Sequence, residues 1–148
     1  MLQESVELFR KQAPSILPEL FGGAKASDAE IEEDMATISY QLPKKYDMED
    51  VLDMLEDQME LTILYHFIPS RDTEFGHQCC AYSNILFGSM FKIHASTDAD
   101  GEIDSLTVTL YSSMETMCTD LLEDVGRHEG RGTFRHKLPK ETILVEFC

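Results

Sequence analysis

Charge is spread so unevenly along this chain that it restricts how the chain can fold. Residues 1–126 carry 25 acidic and 7 basic side chains, a net of −18, while residues 127–148 carry 3 acidic and 5 basic ones, a net of +2. An unpaired carboxylate is costly to bury, so nearly all 28 must lie at the surface or meet a cation. The whole-chain charge of −16 repels phosphate backbones, which disfavours direct nucleic-acid binding, and attracts basic proteins. The same acidity would equally serve only to keep a protein in solution.

A length of 148 residues with 43% hydrophobic side chains suits a single acidic domain over 1–148, large enough to bury a core without staples. No run of eighteen apolar residues is present, so no membrane span is expected. Glu4 and Glu7 stand where a secretory signal would need basic charge followed by an apolar run. Cys79, Cys80, Cys118 and Cys148 show no C-x-x-C spacing, and adjacent Cys79 and Cys80 would bridge each other only with strain. Free thiols in a reducing, cytoplasmic setting are the expectation.

Hydrophobic periodicity gives the order of elements. Leu2, Val6, Phe9 and Ala13 recur at helical spacing over 2–11, and PSILPELFGG reads as a packed turn. Ala36, Ile38, Tyr40 and Leu42 alternate with polar residues, predicting a strand that ends at Pro43. Asp47 is placed to cap a helix over 47–60, with Met48, Val51, Leu52, Leu55 and Met59 on its apolar stripe. The opposite face is acidic: Glu49, Asp50, Asp53, Glu56, Asp57 and Glu60. Leu61–Ile68 reads as an inner strand, 69–78 as a loop, and CCAYSNILFGSM as either a strand or a buried helix. Phe91–Ala95 and Ile103–Tyr111 follow as strands. Ser112 with Glu115 then forms a capping box for a helix stopping at Gly126, and Thr142–Phe147 reads as a closing strand. These elements predict an α+β, two-layer sandwich: a mostly antiparallel sheet with helices on one face, of ferredoxin-like or related topology.

Motifs for chemistry are sparse. Asp98-Ala99-Asp100-Gly101-Glu102 resembles the centre of an EF-hand loop, but the position for the bidentate carboxylate is Thr107 and the flanks read as strands. An acidic turn is the better reading, and no metal or cofactor is expected. His94-Ala95-Ser96 is half of a two-histidine phosphoesterase pattern, and no other histidine has a hydroxyl two residues on. Phosphate-cradling glycine loops and nucleophile elbows are absent from the sequence.

No catalytic residue is therefore assigned, and the chain is read as a non-enzymatic module that masks a basic surface of a partner protein. An immunity-type or other stoichiometric inhibitor of a toxin or enzyme suits this size and charge. Glu49, Asp50, Asp53, Glu56, Asp57 and Glu60 would form the interface, with Tyr40 and Tyr46 as aromatic anchors. The alternative is a small enzyme or ligand-binding regulatory domain whose 127–137 loop binds an anion through Arg127, Arg131, Arg135 and Lys137. Against it, that loop could fold back on the acidic body and neutralise part of it.

Overall fold

A computed structural model describes residues 2–70 and 76–147. In chain order it contains α1 (Leu2–Ile16), α2 (Pro18–Phe21), β1 (Lys25–Ala26), β2 (Glu30–Ile31), β3 (Met35–Asp47) and α3 (Met48–Asp53). A π-helical turn (Met54–Gln58) continues α3, followed by β4 (Thr62–Pro69), β5 (Gln78–Leu86), β6 (Ser89–Ser96) and β7 (Glu102–Tyr111). The remainder is α4 (Met114–His128), β8 (Gly132–Lys137) and α5 (Lys140–Phe147). The fold is α+β, with an eight-stranded sheet in the order β1-β3-β7-β6-β5-β4-β8, β2 also pairing with β3. Every pairing is antiparallel.

Alternation along the strands creates two apolar faces, and helices cover both. Ile63, Cys79, Ala81, Phe91, Ile93, Leu106 and Val108 join one core with α1, α2 and α3, packed around Phe9 and Phe21. Leu64, Tyr65, Phe67, Cys80, Tyr82 and Tyr111 join the other with Met117, Cys118, Leu121 and Val125 of α4 and Ile143 of α5. The expected two-layer, ferredoxin-like sandwich with helices on one face is therefore corrected. β4 to β7 form a continuous meander, and the central strands are apolar on both sides, so each face needs its own helical layer.

Several local expectations change for identifiable reasons. β3 does not stop at Pro43 but runs to Asp47, because a register shift between Gln41 and Tyr46 takes the proline out of the ladder. CCAYSNILFGSM is a hairpin, Leu86 pairing with Ser89 across Phe87 and Gly88, which have φ of 54° and 70°. That is the backbone of a tight primed turn, unusual for phenylalanine; packing of the Phe87 ring edge-on to Phe9 at 5.2 Å offsets the cost. α4 is capped by Ser113, whose Oγ accepts from Thr116 N at 3.2 Å, rather than by Ser112. It also passes Gly126 and ends at His128, just before Gly130 with φ 77°. The segment 142–147 is helical despite its β-branched residues: Pro139 starts the turn, and Ile143 buries against the α4 face. Of the basic stretch 127–137 expected as a loop, Arg127 and His128 close α4, and Gly132–Lys137 is strand β8, paired with β4.

Candidate functional site

The cap expected at Asp47 forms, its Oδ1 accepting from Asp50 N at 3.0 Å, and sets the direction of α3. Met48, Val51, Leu55 and Met59 are buried, and Met54 joins them where the helix widens into its π-helical turn. Glu49, Asp50, Asp53, Glu56, Asp57 and Glu60 are all exposed. Of these six, only Glu49 has a cationic partner among the described residues, Arg135 Nη1 at 2.8 Å. Asp50 registers the crowding: the neighbouring Asp47 carboxylate, helped by Asp53, pushes its carboxyl above the ordinary range.

Tyr40 and Tyr46 are not anchors for a partner. They are only 4% and 6% exposed, Tyr40 packing edge-on to Phe21 and Tyr46 donating its hydroxyl to the Glu19 carbonyl. Strand alternation turns Tyr40 inward with Ile38 and Leu42, and Tyr46 joins the same core beyond the register shift. Lys44 lies over the Tyr46 ring at 5.0 Å, at the margin of the acidic face.

The four basic residues of the alternative anion site are not assembled. Arg127 pairs with Asp124, Arg135 with Glu49, and Lys137 Nζ with Glu129 at 2.7 Å. Arg135 meets α3 on one side of the sheet, while Lys137 lies over the Phe134 ring on the α4 side. Arg131 contributes its backbone carbonyl to Ser70. The basic segment folds back on the acidic body.

That folding creates a cleft of about 290 Å³ between α3 and the β4–β8 edge. Glu49, Asp53 and Glu56 form one wall, and His66, Arg135 and His136 the other. His66 faces His136 directly across the two strands, and the register shift next to it makes Arg135 the extra, bulged residue. A bulge brings consecutive side chains toward one side, which explains how Arg135 and His136 both reach the cleft. His136 donates Nε2–H to the Ile63 carbonyl at 2.8 Å. His66 is 3% exposed, and its Nε2 has no hydrogen-bond partner among the described residues. Burial lowers its pKa, the nearby Glu49 opposing, so the ring is neutral at neutral pH.

The other face of the sheet holds a satisfied ionic network. Lys92 Nζ lies 2.8 Å from both Asp120 Oδ2 and Asp124 Oδ2, Tyr111 donates to Asp120, and Arg127 pairs with Asp124. Burial works against the Lys92 ammonium, but the flanking carboxylates outweigh it and raise its pKa. His94 Nε2 meets Gln78 Oε1 at 2.9 Å beside this cluster. Cys79, Cys80 and Cys118 are buried thiols, and burial pushes the Cys79 thiol up to about 12, which makes it a poor nucleophile. Cys148 lies outside the described residues.

Among the described residues no three His, Cys, Asp or Glu side chains are grouped to hold a metal ion, and no helix is long and apolar enough to cross a membrane. In the calcium-like turn Asp98 Oδ1 accepts from Asp100 N at 2.9 Å and Glu102 N at 3.0 Å, while Oδ2 meets Lys45 at 3.2 Å. Millimolar calcium is thus expected to leave the melting temperature unchanged. A rise that Asp98→Ala abolishes would mean that this carboxylate leaves Lys45 and the backbone for the ion.

No protein-family model matches the chain, and no curated protein or solved structure is significantly similar to it.

Proposed function

We propose that the chain is a non-enzymatic binding module that docks a basic protein on the α3 face, in the manner of an immunity-type or other stoichiometric inhibitor acting in the cytoplasm. The observation that carries this reading is the run of exposed carboxylates on α3, its π-helical turn and Glu60 just beyond, balanced among the described residues by one arginine. Leaving them clustered raises the energy of the free protein, and a partner's lysines and arginines would relieve that repulsion on binding. With Tyr40 and Tyr46 in the core, the face lacks exposed aromatic anchors, so attraction there acts mainly through the rate of encounter. The anion-binding alternative is the less favoured reading, since Arg127, Arg135 and Lys137 each face a carboxylate.

Reversing Asp53, Glu56, Asp57 and Glu60 to Lys tests the proposal. All four side chains are exposed, so the fold should survive, with a circular dichroism spectrum like that of the wild type. Wild-type protein immobilised on a support should retain a basic protein from an extract of its own cells at low salt, and the reversed variant should not. Equal retention of that protein by both would reduce the acidic helix to a solvated face.

A further inference from the structure

We infer that the cleft between α3 and β8 is a socket for an arginine side chain of the basic partner, and that Arg135 occupies its rim as an internal stand-in until that arginine arrives. The inference rests on the docking reading above and gives it a specific anchor.

Four observations converge on a guanidinium. The wall formed by Glu49, Asp53 and Glu56 is anionic, with the first two one helical turn apart, a spacing that a planar fork with several donors can bridge. The apolar side chains of Leu52 and Ile63 also line the cleft and suit the methylene stem of an arginine. A volume of about 290 Å³ is at the low end for small-molecule sites and suits one long side chain better than a nucleotide. His66, buried at 3% exposure, lines the same cleft with its Nε2 unpartnered. That nitrogen is shut off from solvent, so an arriving N–H donor would satisfy it once the ring turns toward the cleft, in the tautomer that carries the proton on Nδ1.

Arg135 already shows that a guanidinium fits against Glu49, and it is held weakly. Its side chain is 57% exposed and that of Glu49 67%, so the pair is a solvent-screened surface contact that a second guanidinium can replace at little cost. The bulge in β8 lets the Arg135 side chain swing away without breaking the ladder on either side.

The probe is a short acetylated, amidated peptide of alternating Gly and Arg, compared with its Gly–Lys counterpart, titrated into the full chain at neutral pH. Arg135→Ala should tighten Gly–Arg binding about two- to fivefold, the factor by which a competing surface pair of ordinary strength weakens it. Arg131→Ala removes the same charge outside the cleft and should change binding by less than half that factor. In the wild type, the His66 Nε2 nitrogen resonance should move on saturation with the Gly–Arg peptide and stay put with the Gly–Lys one. Equal gains from the two alanine variants, with His66 unmoved, would overturn the socket while leaving a general acidic docking face intact. Binding of both peptides that is unchanged by the fourfold Lys reversal would remove the docking reading and the socket together.

Discussion

Replacing Lys92 by methionine is expected to cost about 3–5 kcal/mol of stability, the usual consequence of removing one partner from a buried ionic cluster. Lys92 is 8% exposed and Asp124 7%, and its ammonium touches both Asp120 and Asp124. Without the ammonium, two carboxylates four residues apart on α4 face each other under a helix, and only Arg127 and the Tyr111 hydroxyl remain for them. A protein of this size should melt roughly 10 °C lower, given about 2–4 °C per kcal/mol. Adding Asp120→Asn and Asp124→Asn to Lys92→Met should recover part of the loss, because amides tolerate burial without a counterion. A Lys92→Met protein as stable as the wild type would mean that water reaches these carboxylates and the cluster is not buried in solution.

Acid should weaken the fold through His94. Burial holds its imidazole down at about 4, with the Asp124 carboxylate pulling the other way and Lys92, His128 and Arg127 adding to the depression. In the unfolded chain an imidazole titrates near 6.5. Between those values the unfolded state binds the proton more readily, so the contribution is fully present above about 6.5 and is lost as the pH falls toward 4. At pH 5 the loss from this one ring is about 2 kcal/mol. His66 and His128, both lowered by burial, act in the same direction. Protonation of the crowded surface carboxylates acts in the opposite direction by relieving repulsion, so the wild-type curve alone does not isolate His94. Comparison with His94→Gln does, since glutamine can keep a hydrogen bond to Gln78 Oε1 but has no charge to gain. Relative to that variant, the wild type should lose about 2 kcal/mol between pH 7 and pH 5. A difference independent of pH would show that folding does not lower the His94 imidazole.

The acidic helix was legible because two independent periodic patterns, the Met48–Met59 stripe and the carboxylates opposite it, agree with the Asp47 cap. The inward turn of Tyr40 was also legible, since it alternates in step with Ile38 and Leu42. Reading it as an anchor set that alternation aside in favour of residue type. The cleft was not legible. It depends on β8 pairing with β4, and the basic composition of 127–137 masks a strand that alternates too weakly to be recognised. One signal was available: His66 sits within the otherwise apolar strand Leu61–Ile68, where a polar residue needs a reason. The Lys92 cluster left a similar trace, as Lys92 interrupts the apolar Phe91–Ala95 strand, and Asp120 and Asp124 stand one helical turn apart beside the apolar stripe of α4. Pairing those charges required the strand-to-helix packing, which spacing along the chain does not supply. The two-faced sheet, by contrast, has a signal in the sequence. Leu61–Ile68 reads as apolar on both sides, and that pattern calls for helices above and below rather than on one face alone.

The central claim, that the α3 face recruits a basic protein, is tested most directly by the association rate of the captured partner as a function of salt. Exposed charges steer encounter over about 8–10 Å at ordinary ionic strength, and that reach shrinks to about 3 Å at 1 M salt. Wild-type protein should associate at least tenfold more slowly in high salt than in low salt. The variant with Asp53, Glu56, Asp57 and Glu60 reversed to Lys should associate slowly at every salt concentration, with a flat or inverted dependence. Matching rates and matching salt slopes for the two proteins would contradict the claim.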